Sequence, residues 1–374
     1  MMNRGHTVYH YGHERSEVEC TLHLSVTDDK VLKTAYGEDF DFRKTFFRHG
    51  AEDFAHTTFC KNAIEAIQLT KKPNDFLLMF WGLGHKPIKD AHPDLIAVEP
   101  GIGCYNRPSA QFNVFESYAV MHGIYAQHKI SPNFLDSVIP NYFEEDVLVN
   151  PQDFPEDELL QKIDLLEPGY VLVICRMCED KGVGLAVDAA NRAGFKAVLA
   201  GQGDPRHLTD KDYTFLGYVE PRHRRLLLSK ARCLCSLSYY VEPFGGISVE
   251  AMFAGVPVVT TDWGAYAETV LHGVTGYRCR NMDHIVYALK NCHTLDKDAI
   301  MRYAKSRFGF DKVGSMYEEF FSMLTSVTEN RGFYDITNRQ SLDWLRCDIL
   351  EIKNASKNED RDLDGKSVGS GSNS

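Results

Sequence analysis

Long apolar runs are missing from this chain. No stretch approaches the roughly 18 residues that a membrane-crossing helix needs, and the first residues show no charged-then-apolar leader. Those two absences predict a protein that works in the cytoplasm without a transmembrane segment. An excess of positive charge is missing as well. Lys plus Arg number 41 against 52 Asp plus Glu, a net charge of −11, which speaks against nucleic acid as the main partner because a phosphate backbone needs a basic face. A single diphosphate is not excluded by that balance, since a few local donors hold one.

A regular cysteine framework is also lacking. The ten cysteines are scattered, several of them in strand-like apolar runs (Cys175, Cys233, Cys235), which suggests reduced, buried thiols. Cys175 and Cys178 make a C-x-x-C, but no second pair stands at zinc spacing. Asp39-Phe40-Asp41 has the form of a metal-binding D-x-D, yet it lies in an acidic, glycine-containing loop with no supporting context. The expectation is therefore no metal. Phe42-Arg43-Lys44 with Phe46, Phe47 and Arg48 reads as a solvated loop, and the sequon Asn354-Ala355-Ser356 has no evident route to a secretory lumen.

What is present is a chain of 374 residues with 44% apolar content, long enough for two domains. Strand-like and helix-like segments alternate, which predicts α/β layers with parallel sheets. The second half is the clearer. Strands are expected at Tyr170 to Cys175, Phe195 to Ala200, Tyr213 to Val219, Cys233 to Tyr239 and Val256 to Thr260. Helices are expected after Lys181, where Val183, Ala186, Val187 and Ala190 follow the i, i+3, i+4, i+7 rule, at Glu220 to Ala231, and at Gly246 to Ala254. In the first half, Phe76 to Trp81 and Leu95 to Val98 read as strands and Phe112 to Ala126 as a helix.

The resulting division places an N-terminal Rossmann-like domain at 1–145, a proline- and acid-rich linker at 146–168, and a second Rossmann-like domain at 169–310. C-terminal helices follow at 311–352, and then a polar, disordered tail at 353–374. Gly5-His6-Thr7-Val8-Tyr9 reads as a helix end, a glycine stop and a strand. Since a doubly wound domain opens with strand, loop and helix, the first βα unit is expected to be absent.

The chemistry concentrates in Glu242-Pro243-Phe244-Gly245-Gly246-Ile247-Ser248-Val249-Glu250. Two glycines at a helix start let a ligand approach backbone amides, and two carboxylates eight positions apart flank that end. Carboxylates accept paired hydroxyls, and amides with nearby cations suit a diphosphate. Taken with Gly264, Glu268, Gly273 and Thr275-Gly276, this stretch resembles the E-x7-E signature region of glycosyltransferase family 4 and its GT-B relatives. Ile139-Pro140-Asn141 is similar to that family's exit from the N-terminal domain, although Tyr142-Phe143 replaces its usual small pair. Arg176 with Lys181-Gly182, the turn Gly201-Gln202-Gly203 and the strand Phe215 to Val219 resemble its other donor-side segments. The likeness is good over residues 139 to 325 and weak before them.

The resemblance implies a GT-B fold of two Rossmann-like domains facing a cleft, with the helix Asp311 to Thr325 crossing back to the N-terminal domain, and transfer of a sugar from a UDP- or GDP-linked donor to a hydroxyl acceptor, with retention and without a metal or other cofactor. It assigns Glu242 to the donor sugar, Glu250 to the ribose, and Arg176 and Lys181 to the departing diphosphate. Gly203, Val219, Phe244, Gly245, Gly246 and Ile247 complete the expected donor contacts. On the other wall position alone speaks, because ligands bind beyond the carboxyl ends of parallel strands. That singles out His85 as a catalytic candidate, with Glu99, Glu116 and His122 as acceptor-side candidates. The competing expectations are a non-catalytic nucleotide-sugar-binding or truncated protein, and a nucleotide-sugar epimerase of the same fold.

Overall fold

The computed structural model describes residues 1–39, 50–104, 106–143, 157–206, 208–209 and 211–329. Twelve strands are present among them: β1 (Tyr9–His13), β2 (Leu22–Thr27), β3 (Phe76–Leu78), β4 (Ile96–Ile102), β5 (Phe112–Phe115), β6 (Ser137–Val138), β7 (Tyr170–Ile174), β8 (Ala197–Ala200), β9 (Tyr213–Phe215), β10 (Ala231–Ser236), β11 (Val258–Thr261) and β12 (Gly276–Cys279). The helices are α1 (Asp29–Tyr36), α2 (Phe54–Thr70), α3 (Lys86–Ala91), α4 (Tyr118–His128), α5 (Glu158–Asp164), α6 (Val183–Ala193), α7 (Pro221–Lys230), α8 (Gly246–Phe253), α9 (Tyr266–Thr269), α10 (Met282–Asn291), α11 (Lys297–Phe308) and α12 (Phe310–Thr328).

The larger sheet has six parallel strands in the order β12-β11-β10-β7-β8-β9. Read from β9, this is the doubly wound order in which the chain starts in the middle, runs to one edge and then to the other. Its strands alternate strictly, as burial on both faces requires. Leu172, Val198, Leu234 and Val258 enter one core with α7, α8 and α11. Val171, Val173, Leu199, Cys233, Cys235 and Val259 enter the opposite core with α6 and α10. The fold positions its site through this order, because the chain reverses direction between β7 and β10, and the loops leaving those two strands border one crevice.

A second sheet is parallel in the simple order β3-β4-β5-β6, and β1 and β2 form a separate parallel pair. Helix α12 closes one face of the second sheet. Its Val313, Met316, Phe320, Phe321 and Leu324 pack on Ile96, Val98, Phe112, Val114 and Ile139, and the Phe76 and Phe321 rings lie 4.8 Å apart. Those five apolar positions follow the helical repeat, so a helix reached from the six-stranded sheet supplies a core wall for the four-stranded one.

Several expectations differ from the structure; the strand expected from Tyr213 to Val219, for one, stops at Phe215. Phe112 to Ala126 is not one helix: Phe112–Phe115 is β5, and α4 begins only at Tyr118. Ser117 makes the break, adopting extended backbone and accepting from the Val120 amide as an N-cap. The stretch expected as linker contains α5, capped by Asp157 through the Leu160 amide at 2.8 Å. That helix buries Ile163 in the six-stranded core, and Asp157 also takes bonds from His223 and Arg222 of α7. The strand expected to run from Phe76 to Trp81 stops at Leu78, and a 3-10 turn covers Gly82–His85. The metal-like Asp39-Phe40-Asp41 falls partly, and the basic-aromatic loop, the sequon and the tail wholly, outside the described residues.

Candidate functional site

The loop after β7 and the loop after β10 meet at the point where the strand order reverses. The first carries Arg176 and Lys181, and the second carries Glu242. Lys181 Nζ donates to both Glu242 carboxylate oxygens, at 3.2 and 3.0 Å, and to the Tyr240 hydroxyl. It lies 4.7 Å from the Tyr240 ring centroid as well, within cation–π range. Ser238 Oγ donates to Glu242 Oε2 at 2.6 Å. Both charged side chains are largely covered, at 16% exposure for Lys181 and 10% for Glu242. An ion pair this sheltered holds its partners in place more firmly than a surface pair would. Burial, reinforced by the Glu242 charge, pushes the Tyr240 phenol up, so its proton is kept at neutral pH.

Glycines make this approach possible. Gly182 adopts φ 63 against Leu237, where a Cβ would overlap the backbone oxygen. Gly201 adopts φ 137, and a Cβ there would overlap the Cys175 carbonyl; its amide donates to Gly217 O at 2.7 Å. Gly203 pairs with Met177 beside them. The ends of β7, β8 and β9 therefore pack backbone against backbone, as only glycine permits.

Gly245, at φ 80, has no room for a Cβ, which would stand 2.5 Å from the Tyr266 ring. Gly246 then opens α8, whose start carries no side-chain cap; the Ser248 amide donates to Gly245 O, which leaves the Gly246 and Ile247 amides open among the described residues. One turn in, Glu250 is gripped by Arg224 of α7, with Nε 2.9 and 3.1 Å from its two oxygens. Arg176 stands close enough for its charge to act on Cys175 and Tyr240. Val219 and Phe244, expected as donor contacts, point elsewhere: both are buried in the six-stranded core, with the Phe244 ring 5.8 Å from Phe308. Only their backbones are left for a ligand. Ile247 is half-buried against that same core. Burial pushes the Cys175 thiol up to about 12, which leaves the C-x-x-C without a thiolate at this position.

The opposite wall comes from the four-stranded sheet. Glu116 follows β5 and is half-buried; Asn141 Nδ2 donates to its Oε1 at 2.9 Å. Burial raises its proton affinity, the Asn141 bond lowers it, and the Glu242 charge raises it again. The two carboxylates thus feel one another across the cleft. Three hydrogen bonds fix that relation: Ser117 Oγ to Pro243 O at 2.6 Å, and the Tyr118 and Ala119 amides to the Glu268 carboxylate at 2.9 and 2.7 Å. Glu268 is thereby an N-terminal anion for α4, supplied from the far side.

Glu99 is buried within β4, not at its end. It accepts from the Ser109 amide at 2.9 Å, and burial pushes its carboxyl up. Gly82 lies against it, since a Cβ there would overlap the carboxylate. His85 stacks on Phe59 at 5.5 Å and faces Trp81 and His56 edge-on and in parallel, each at 6.2 Å. Burial, assisted by His56, holds its imidazole down at about 4. His122 is exposed beside Tyr118. The structure therefore brings Lys181, Glu242 and Glu116 into one neighbourhood, pairs Glu250 with Arg224, and sets His85 in an aromatic cluster of its own. Ser238, Tyr240 and Arg224 are the partners that motif reading missed. The one signal for Ser238 and Tyr240 was that both lie on the short stretch between a buried strand and Glu242.

The two facing α/β units, one doubly wound with a loop-and-helix crevice at its switch point, define a GT-B architecture. Solved structures carry the same fold. AviGT4, a glycosyltransferase involved in avilamycin A biosynthesis, aligns over 72% of this chain and 78% of its own at a TM-score of 0.55 and 20% identity. Anabaena Alr3699/HepE, solved with UDP and glucose, aligns over 75% and 84% at 0.59 and 17%. Residues 168–294 match the family described as Glycosyl transferases group 1. Curated relatives include a glycogen synthase of Mycobacterium tuberculosis, 31% identical over 130 residues, which are 31% of each chain. A lipopolysaccharide 1,2-N-acetylglucosaminetransferase of Salmonella typhimurium is 28% identical over 215 residues, 49% of this chain and 55% of that protein. The chain spans about a third of the length of the first of these relatives and about half of the second. Among the described residues, no helix is long and apolar enough to cross a membrane.

Proposed function

We propose that this chain is a glycosyltransferase that moves a sugar from a nucleotide-diphosphate donor to a hydroxyl acceptor. The observation that carries the reading is the sheltered Lys181–Glu242 pair at the switch point, beside the uncapped start of α8. A cation and free amides suit a diphosphate leaving group, and a carboxylate fixed by Ser238 and Lys181 suits the hydroxyls of a sugar. In this reading Lys181 and Arg176 neutralise the diphosphate, Glu242 orients the donor sugar, and Glu250 takes the ribose with Arg224 behind it. The backbones of Gly203, Val219, Phe244, Gly245, Gly246 and Ile247 shape the donor crevice. UDP is the favoured nucleotide, in keeping with the UDP and UDP-glucose held by the HepE neighbour; GDP is the other.

The proposal divides the chain into an acceptor half, residues 1–145, and a donor half, residues 169–310. Transfer in this reading proceeds with retention and in the cytoplasm, and it needs no metal or other cofactor because the site offers lysine, arginine and amides where other enzymes use a metal ion. Glu99, Glu116 and His85 belong to the acceptor half, and His122 stands at its rim. The test is thermal shift with UDP-glucose, UDP-N-acetylglucosamine and GDP-mannose on the full chain, Lys181→Ala and Glu242→Ala. A stabilising nucleotide sugar raises the melting temperature of the parent, and both variants lose most of that rise. An unchanged rise in both would refute the site assignment.

A further inference from the structure

Glu116 has an oxygen that its surroundings leave free. Oε1 takes the Asn141 amide at 2.9 Å, whereas Oε2 has no hydrogen-bond donor among the described residues. Gly103 keeps that oxygen clear, because a Cβ on Gly103 would overlap the Glu116 carboxylate. The carboxylate also cannot drift away from the donor loop. Its neighbour Ser117 is bonded to Pro243, next to Glu242, and the following two amides are bonded to Glu268. Among the described residues, the titratable groups that act on it come from two elements. Glu242 faces it from the donor loop and Tyr317 from α12; Glu242 is itself paired with Lys181. Among the described residues no basic side chain is bonded to Glu116, which leaves Oε2 open to an incoming hydroxyl.

We infer that Glu116 is the proton acceptor for the acceptor hydroxyl, an inference that rests on the donor-site reading above. As the acceptor oxygen bonds to the anomeric carbon, the bond from that carbon to the diphosphate oxygen breaks. The electron pair leaves with the diphosphate toward Lys181 and Arg176, and the hydroxyl proton passes to Glu116 Oε2. Asn141 holds the carboxylate in register through the other oxygen. The atoms balance for either stereochemical outcome and with water as well as a sugar for acceptor. Burial and the nearby Glu242 charge both raise the proton affinity of Glu116, which makes it a stronger base than an exposed glutamate.

Donor hydrolysis tests this without knowledge of the natural acceptor. The nucleotide sugar that gives the largest thermal shift is incubated with the full chain across a pH series, alongside Glu116→Gln, Glu116→Asp and Gly103→Ala. Hydrolysis by the parent chain should rise with pH through a point above the usual carboxylate range, because only the ionised form accepts a proton. Glu116→Gln keeps an oxygen for Asn141 but removes the base, so it should lose on the order of 100-fold in rate and lose the acid limb. Gly103→Ala, which displaces the carboxylate, should lose rate too, and Glu116→Asp should restore part of the limb. All should keep the nucleotide-induced thermal shift. Full rate and an intact acid limb in Glu116→Gln overturn the inference, as does a parent chain that is stabilised by the donor yet never hydrolyses it. If no nucleotide sugar shifts the parent chain and Lys181→Ala changes nothing, the donor site itself is wrong and the inference falls with it.

Discussion

His85 carries a stability signature that can be measured apart from any activity. Its imidazole is held down at about 4 from the ordinary 6.5, first by burial and then by the charge of His56. The ring is packed among Phe59, His56 and Trp81, where a cation would lose hydration and, among the described residues, gain no acceptor. The folded state thus binds the proton more weakly than the unfolded chain does. Stability rises with pH wherever the unfolded state holds more protons. The contribution of His85 is complete above pH 6.5, falls as the pH drops below it, and is gone below about 4. At about 1.4 kcal/mol per pH unit, that window amounts to roughly 3 kcal/mol, reduced to about 2 kcal/mol because part of the ring reaches solvent and is screened.

The perturbation is His85→Gln, which fills much of the same space without titrating. Urea unfolding, followed by tryptophan fluorescence with Trp81 as the adjacent reporter, is run for both proteins between pH 7 and pH 4.5. Carboxylates held low elsewhere, such as Asp94 and Asp157, destabilise both proteins alike as the pH falls. The difference between the two curves isolates His85. The parent chain should lose about 2 kcal/mol more than the variant across that range. Parallel curves would refute the argument that the ring is held neutral by its packing. The same result bears on function, since a neutral imidazole at pH 7 can orient a hydroxyl but cannot neutralise a diphosphate.

Two further perturbations act on the geometry around the crevice. Gly201→Ala puts a Cβ against the Cys175 carbonyl at a φ of 137; it should cost about 2–4 kcal/mol in denaturant unfolding, and wild-type stability would show that the β7 and β8 ends are not pressed together. Glu268→Gln weakens the anion that the Tyr118 and Ala119 amides share. A loss of about 1 kcal/mol and faster hydrogen exchange at those two amides are expected, with unchanged exchange as the refuting result.

Much of the fold was legible because its signals are local. Leu172 and Leu234 on one face and Val171 and Val173 on the other sit in short runs apolar at every position, and a run of that kind has few outcomes besides a strand buried on both sides. Helix α12 itself was legible from the spacing of Val313, Met316, Phe320, Phe321 and Leu324, whereas its crossing to the other sheet was expected from the family resemblance alone. Phe112 to Ala126 misled because Phe112, Phe115, Val120 and Ile124 also suit a helical face. What separates strand from helix there is the cap at Ser117, one residue whose other bond goes to Pro243, 126 positions away. Glu116 could not have been placed opposite Glu242 from spacing at all, since that relation is set by the same long-range bond.

The signature stretch itself shows where motif reading stops. Its residues divide by what each contributes, and sequence identity alone does not separate them. Glu242 contributes a side chain held by Lys181 and Ser238. Gly245 contributes a conformation and the absence of a Cβ beside Tyr266. Phe244 contributes core packing against Phe308, which anchors the chain where α8 begins. A substitution at Phe244 would therefore disturb the crevice through the backbone, and one at Glu242 through charge. Phe244→Leu should then lower stability and ligand binding together, whereas Glu242→Gln, which keeps the shape and the Ser238 bond, should spare the fold and lower binding alone.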